Sequence, residues 1–551
     1  MSDPGPGTEP PFEREAMIQR LVGESFDVLV IGGGITGAGV ALDAASRGFN
    51  TALVEAADFA SGTSSKSSKL IHGGLRYLEQ HQFRLVYQAL RERKRLRSNA
   101  PHLVKILPFL LPILTKDGLF PRRVARALGL AMWLYDLTGG WRIGKLHKRL
   151  STDEALARLP TLPADRVAGA YLYYDATVDD ARLVLAVARS AAAHGAVVAN
   201  RCRIAGFEHD ANGRVVAATI DAVGHGEIHV RAAVVVNATG VWADDVRALE
   251  DGFDPDSIRP AKGVHITVPW SMVRNDIAAV IPVPGDKRSL FVVPWGDRPN
   301  GTFQHTYIGT TDTDYDGRLD DPPCTAEDIN YVLGAVNAAI TTKITPADIT
   351  GVWAGLRPLV RAPKSARTAD LSRHHKISTG AGGVIAIVGG KLTTYREMAE
   401  DTVDAVAKRL GRSAKCRTRS LPLLGADGFA EPRTGGREIR LADRYGTLRS
   451  SIDALIADDP ALAEPLVPGL PYERAEAVYA VRHEMATTLT DVLARRTRAH
   501  LLDRSATLQA APSVAALLAP ELGWDADEQQ RQIDDYGELV ARERADAMAN
   551  A

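Results

Sequence analysis

Phe26-Asp-Val-Leu-Val-Ile-Gly-Gly-Gly-Ile-Thr-Gly37 is the stretch on which the fold turns. Residues 26–31 read as a short buried strand, and Gly32, Gly34 and Gly37 follow at once in the spacing G-x-G-x-x-G. Absent side chains there allow a tight turn, which includes Ile35 and Thr36, and let the backbone approach a pyrophosphate at a helix N-terminus. A helical run from Ala38 to Arg47 comes next, then Gly48, then a second strand, Thr51-Ala-Leu-Val54, that ends in Glu55. Glu55 stands 18 residues past Gly37, placed to accept hydrogen bonds from ribose hydroxyls and to repel a 2′-phosphate. Strand, glycines, helix, strand and acid together read as a dinucleotide site in an α/β fold. At this point NAD and FAD remain unseparated.

The next segment crowds hydroxyls, lysines and paired glycines: Ser61-Gly-Thr-Ser-Ser-Lys-Ser-Ser-Lys-Leu-Ile-His-Gly-Gly-Leu-Arg-Tyr-Leu-Glu79. Taken alone it fits either a flexible Ser-rich loop or a segment extended along a cofactor. Further motifs stand at Val178-Asp-Asp-Ala-Arg-Leu-Val184, Val236-Asn-Ala-Thr-Gly-Val-Trp242, Lys262-Gly-Val-His265 and Ile308-Gly-Thr-Thr-Asp-Thr313. Gly355-Leu-Arg-Pro-Leu359, Gly389-Gly-Lys-Leu-Thr-Thr-Tyr395 and the run from Arg482 to Thr497 complete the set. With Thr63 to Glu79 intact, this combination resembles the FAD-dependent glycerol-3-phosphate dehydrogenases from about Phe26 to about Leu502. Val264 and Leu356 depart from residues common in that family and remove no polar group on which catalysis relies.

The resemblance implies FAD as cofactor and oxidation of sn-glycerol 3-phosphate to dihydroxyacetone phosphate, with hydride passing to flavin N5. Besides Gly32, Gly34, Ile35, Thr36, Gly37 and Glu55, it assigns cofactor contacts to Thr63, Ser64, Ser68, Lys69, Leu70 and His72. Ile204, on a strand expected over Ala196 to Ile204, is expected to meet the adenine through its backbone, and Thr239, Gly240 and Trp242 are expected near the nucleotide, where the small residues of the A-T-G turn avoid a clash. Gly390, Lys391, Leu392 and Thr393 lie where backbone N–H groups at a helix start can stabilise charge at the flavin edge. Arg76, Tyr77, His265, Arg357 and Lys391 are the substrate contacts, because a phosphorylated polyol needs cations with planar or point charge. His265 is expected to accept the hydroxyl proton, with Arg357 and Lys391 also catalytic. No Ser-His-Asp order, paired-carboxylate site, HExxH or metal-ligand spacing is visible, so no hydrolytic or metal chemistry is expected.

The chain's 551 residues are 45% hydrophobic and 24% charged, an ordinary globular composition. Basic and acidic side chains number 66 and 67, which gives no whole-molecule argument for nucleic acid. Three distant cysteines point away from a disulfide framework and toward a reducing, cytoplasmic setting. The charge is unevenly spread, with fifteen Lys and Arg against three acids between Arg84 and Arg149. Phe109, Leu110, Leu111, Phe120, Trp133, Tyr135 and Trp141 interleave with them, and Arg122, Arg123 and Arg126 open a candidate helix at its unfavourable end. This suits peripheral binding to the inner face of an anionic membrane and electron transfer to quinone, as in the family, although a solvated basic face is an equal reading. An oxidase that passes electrons to O2, and a flavin-binding scaffold without catalysis, are the alternatives; a homodimer is compatible with either.

The expected architecture is α/β. A discontinuous Rossmann-like FAD domain (26–100, 178–260, 350–414) carries an inserted mixed-sheet substrate domain (about 101–177 and 261–349) that includes a long basic helical insertion. A disordered tail spans 1–25, a linker 415–436 and a helical domain 437–551. Met485, Leu489, Val492 and Leu493 recur as an apolar helical stripe.

Overall fold

The computed structural model describes residues 12–74, 82–114, 129, 132–253, 255–286, 288–297, 303–361 and 374–549. Strand Ser25–Ile31, helix Ile35–Ser46 and strand Thr51–Val54 realise the βαβ reading. Ser25–Ile31 pairs in parallel with Thr51–Val54 on one side and Gly226–Asn237 on the other. Val197–Ala199 and Ile385–Val388 extend the parallel set outward, and Lys376–Thr379 closes one edge antiparallel. These strands are apolar almost without interruption because the sheet is buried on both faces. Helices Asp180–Ala193 and Tyr395–Arg409 both pack on Ile35–Ser46.

A second, ten-stranded mixed sheet forms the other half of the cavity's frame. Its centre is Ile258–Pro269, paired antiparallel with Phe303–Gly309 and along its whole length with Gly351–Val360. The strand 351–360 therefore belongs to the substrate sheet, and the expected return to the nucleotide fold at residue 350 comes later, at Lys376. Lys105–Leu114 pairs with Val167–Thr177 in the same sheet. This corrects the expected helical insertion. Residues 109–114 are buried, so Phe109, Leu110 and Leu111 fill the core instead of facing solvent. Pro108 and Pro112, which argue against a helix, are accommodated where strand pairing does not need their missing N–H.

Three more expectations are revised. Residues 14–23 form a helix whose Met17, Ile18 and Leu21 are buried, and the Phe12 ring meets Phe59 at 5.9 Å with 41° between planes, so residues 12–25 pack against the nucleotide domain. Apolar side chains at helical spacing outweighed the Pro- and Gly-rich start. The strand expected over Ala196 to Ile204 is two strands, Val197–Ala199 and Cys202–His209, broken where Arg201 takes φ +54°. Met485, Leu489, Val492 and Leu493 are all buried but share no single helix. Met485 is left-handed and ends the helix Arg474–Glu484; a π-helical turn then spans Asp491–Arg496. A reciprocal cap starts this next segment: the Thr488 N–H donates to the Asp491 carboxylate at 3.1 Å and the Asp491 N–H to Thr488 Oγ1 at 3.2 Å.

Residues 410–435 hold no regular element but dock on the helix Ile35–Ser46, where the Thr418 hydroxyl donates to Asp43 at 2.8 Å. The C-terminal part is helical, ending in Arg504–Leu522 and Ala526–Met548. Among the described residues no helix is long and apolar enough to cross a membrane.

Candidate functional site

A cavity of about 730 Å³ runs between the two sheets. Its first wall is the glycine turn. Gly32 holds φ +108°, and a Cβ there would meet the Ala238 carbonyl oxygen at 2.8 Å. Gly37 does not line the cavity; it faces the backbone of Gly32 so closely that any side chain would collide. The helix Ile35–Ser46 begins on Gly34 without a side-chain cap of its own and without an acid in its first turn. Ser64 Oγ instead accepts the Ile35 N–H at 2.9 Å. Such a helix start favours an anion through its N–H groups and dipole.

Glu55 accepts the backbone N–H groups of Gly33 at 2.6 Å and Ala57 at 2.9 Å. Burial raises its carboxyl, and these two hydrogen bonds oppose the rise. Ile204, Thr239, Gly240 and Trp242 line the same wall. At Gly240 nothing lies within 4 Å of the position a Cβ would take, so the backbone borders open space. An extended cavity bounded by an acid, bare glycine backbone and a helix start fits a dinucleotide such as FAD.

Thr63, Ser64, Ser68, Leu70 and His72 continue the lining from the hydroxyl-rich segment. Gly390, Lys391, Leu392 and Thr393 join them from the loop after strand Ile385–Val388. The two groups meet: Thr393 Oγ1 accepts the His72 N–H at 3.2 Å. Burial lowers His72 to about 4, and the Lys391 charge adds to that, so the ring is neutral at ordinary pH. Lys69 is the exception in this segment. It is buried but absent from the lining, its ammonium turned to Asp180 at 3.2 Å.

His265 sits on strand Ile258–Pro269, 2% exposed and lining the cavity. Its Nε2 lies 2.9 Å from Ser68 Oγ, and Trp353 stacks on its ring at 4.8 Å with 8° between planes. Nδ1 is buried with no partner among the described residues. Burial first, then the Lys69 and Arg357 charges, hold the imidazole well below its usual range. A neutral ring of this kind can accept a proton.

Arg357, on the neighbouring strand, donates to Asp312 Oδ1 at 3.1 Å and to Thr310 Oγ1 at 3.2 Å. Arg76 and Tyr77 lie outside the described residues, as do Arg122, Arg123 and Arg126. The cavity also gathers residues that the sequence did not single out. Arg288, hydrogen-bonded to Asp286 at 2.6 Å, adds a cation near Arg357, and Arg203 lies beside Ile204. Asp175 faces the cavity while accepting the Gly73 N–H at 3.1 Å and the Tyr135 hydroxyl at 2.7 Å. None of these stands in a recognisable motif; only an isolated charge inside a strand or turn marked them. Among the described residues no group of three His, Cys, Asp or Glu is arranged to hold a metal ion.

Comparison with known proteins places this geometry among relatives. Residues 27–396 match the family described as FAD dependent oxidoreductase, and residues 416–529 match the C-terminal domain of alpha-glycerophosphate oxidase. "Glycerol-3-phosphate dehydrogenase 2" of Mycobacterium tuberculosis (strain ATCC 25618 / H37Rv) is 42% identical over 555 residues, covering 98% of this chain and 92% of its own. "Glycerol-3-phosphate dehydrogenase" of Mycobacterium leprae (strain TN) is 42% identical over 97% of this chain and 91% of its own. Among solved structures, the glycerol-3-phosphate dehydrogenase from Bacillus halodurans, complexed with FAD, aligns with a TM-score of 0.78 and 31% identity. That alignment covers 98% of this chain and 99% of the other.

Proposed function

Because this chain belongs to the family of FAD-dependent glycerol-3-phosphate dehydrogenases, we propose that its cavity oxidises sn-glycerol 3-phosphate to dihydroxyacetone phosphate and that the electrons pass to a membrane quinone. The observation that carries the reading is a buried neutral imidazole sharing one cavity with two cations, Arg357 and Lys391. FAD, when bound, supplies the hydride acceptor. His265, which burial keeps neutral and the Ser68 contact orients, takes the proton of the C2 hydroxyl. Arg357 offers a planar fork to phosphate or to the C2 oxygen, and Lys391 a point charge, with Arg76 and Tyr77 completing the substrate set by their motif. The apolar side chains of Leu111, Val280 and Phe291, which line the cavity with His265, keep water from the reacting carbon.

An anaerobic absorbance spectrum before and after adding sn-glycerol 3-phosphate tests this reading. A yellow protein that bleaches supports flavin, substrate and hydride transfer together; a yellow protein that stays yellow rejects the substrate. The match of residues 416–529 to an oxidase domain favours one second reading, transfer of electrons to O2. Stoichiometric peroxide during aerobic turnover would select it over quinone.

Quinone reduction requires approach to a bilayer, and one surface suits that. Trp133 and Leu137 lie one turn apart, 55% and 72% exposed, and Leu146 beside them is 54% exposed. The Trp133 ring packs edge-on to His147 at 4.9 Å, which joins the two segments. Tyr87, under Arg142 at 4.8 Å, continues the surface among the cations of 84–149. Exposed aromatic and aliphatic side chains among positive charges are what an anionic interface attracts.

A further inference from the structure

Two motifs have no part in the site so far: Val178–Val184, with its paired carboxylates, and Arg482–Thr497, which leads into Arg498. The fold joins them. Asp180 begins the helix Asp180–Ala193, capped by Asp179, and Arg498 reaches both carboxylates from the C-terminal helical part. Its Nε donates to Asp179 Oδ1 at 3.0 Å and its Nη2 to Asp180 Oδ1, while Nη1 donates to the Ser65 carbonyl at 3.4 Å. Arg498 and Asp180 are both buried.

Asp180 in turn organises the hydroxyl-rich segment. Its Oδ2 accepts the Ser67 N–H at 3.1 Å and the Ser67 hydroxyl at 2.6 Å, and Lys69 Nζ donates to Oδ1 at 3.2 Å. From the opposite side, the substrate sheet holds Ser67 and Lys69 again and Ser68 between them. Trp353 Nε1 donates to the Ser67 carbonyl at 3.1 Å, the Tyr307 hydroxyl donates to the Ser68 carbonyl at 3.0 Å, and Lys69 Nζ sits 4.6 Å above the Trp353 ring. Ser68, clamped between these ties, presents its hydroxyl 2.9 Å from His265 Nε2. Lys69 and Arg498 hold φ +55° and +74°, a region that residues with side chains occupy only when their surroundings over-determine it. Burial pushes the Lys69 ammonium down to about 8, and Asp180 opposes the fall.

Other ties between the C-terminal part and the nucleotide domain lack this reach. Arg496 pairs with Asp58 at 2.7 Å and Arg201 with Asp491 at 2.9 Å, and among the described residues neither pair hydrogen-bonds to Ser67, Ser68 or Lys69. We infer that Arg498 and Asp180 are positioning residues for the oxidation: the C-terminal part, acting through Asp180, sets Ser68 against His265 and so fixes the proton-accepting ring. The kinetic half of the test rests on the substrate reading above; the spectroscopic half does not.

The experiment is a double-mutant cycle on the FAD-loaded full chain, with Arg498→Met and Ser68→Ala. Flavin reduction by saturating sn-glycerol 3-phosphate, FAD content, melting temperature and the 13Cε1 NMR signal of His265 are read for each protein. Each single variant is expected to slow reduction at least tenfold, while FAD stays bound and the affinity for dihydroxyacetone phosphate, read from the flavin spectrum, changes little. The double variant slows no further than the slower single, since both act on one hydrogen bond. Arg498→Lys recovers part of the rate, and Arg201→Met lowers the melting temperature without slowing reduction. The His265 signal, assigned by its loss in His265→Ala, shifts in Arg498→Met whether or not this substrate is the right one. Where Arg498→Met sheds its flavin, Asp180→Asn replaces it in the cycle. Full-rate reduction in the Arg498 or Asp180 variant, an unmoved His265 signal, losses that multiply in the double variant, or an equal loss in Arg201→Met overturns the proposal. A wild-type protein that is not bleached counts against the substrate alone.

Discussion

His265 concentrates what single residues do here. A lone histidine on an apolar strand is ordinarily a structural residue, and motif resemblance rather than physics pointed to it. Its neighbours in space, Ser68 and Trp353, lie 197 and 88 positions away in the chain, and no spacing rule connects them. His265→Ala is expected to keep FAD while slowing flavin reduction by about 10²–10⁴, the usual range for a general base. Normal reduction in anaerobic stopped-flow would remove it from that role. His102 tests burial without chemistry. It is 2% exposed, and burial, aided by the Arg182 and Lys105 charges, lowers it to about 3. In the unfolded chain it takes protons from about pH 6.5 downward, so the unfolded state binds more protons across that window and stability falls with pH. Between pH 7 and pH 5 this group should cost about 2 kcal/mol. Urea unfolding of wild type and His102→Gln at both pH values checks the figure: the variant loses less on acidification, and parallel losses would refute the assignment.

At the scale of elements, the first βαβ unit was legible because every local signal agreed. An apolar strand, three spaced glycines, a helix without an acid in its first turn and a terminal Glu55 all demand one arrangement. Gly32→Ala would place a Cβ 2.8 Å from the Ala238 oxygen at a φ that L residues avoid. A strain of about 1–3 kcal/mol should weaken FAD binding roughly 5- to 150-fold, measurable by titrating the apoprotein. Unchanged affinity would mean that the turn yields at little cost. Elements whose local signals conflicted were misread. The strand Lys105–Leu114 contains two prolines and no alternation, because its side chains are buried against both the sheet's covering helices and the aromatic cluster. The stripe from Met485 to Leu493 has true helical spacing and true burial. The left-handed Met485 nevertheless breaks the helix, and Thr488 and Asp491 cap a new one, neither of which periodicity records.

Across the whole molecule, the two sheets, the helical C-terminal part and the linker each appear in sequence as a change of periodicity, yet their contacts do not. The exposed surface around Trp133, Leu137 and Leu146 is a consequence of folding: Tyr135, between the first two, is buried and bonded to Asp175. The triple variant Trp133→Ser, Leu137→Ser, Leu146→Ser is expected to reduce co-sedimentation with anionic vesicles several-fold while leaving dye-linked turnover intact. Binding as strong as that of wild type would assign the basic stretch to solvent. The sequence by itself determined the nucleotide fold, the cofactor and the family, because those rest on short motifs whose residues act within one turn or one strand pair. It also drew attention to motifs that reach the cavity wall, from Gly32 to Thr393, because the residues of one motif share a turn or a strand end there. Only the tertiary structure decided that Lys69 turns away from the cavity, that Arg288 and Asp175 face it, and that Arg498 reaches across 318 positions to Asp180. Charges and hydroxyls far apart in the chain carry no mark of their partners; packing of the sheets and the helical part brings them within hydrogen-bond reach, and burial then makes each pairing obligatory.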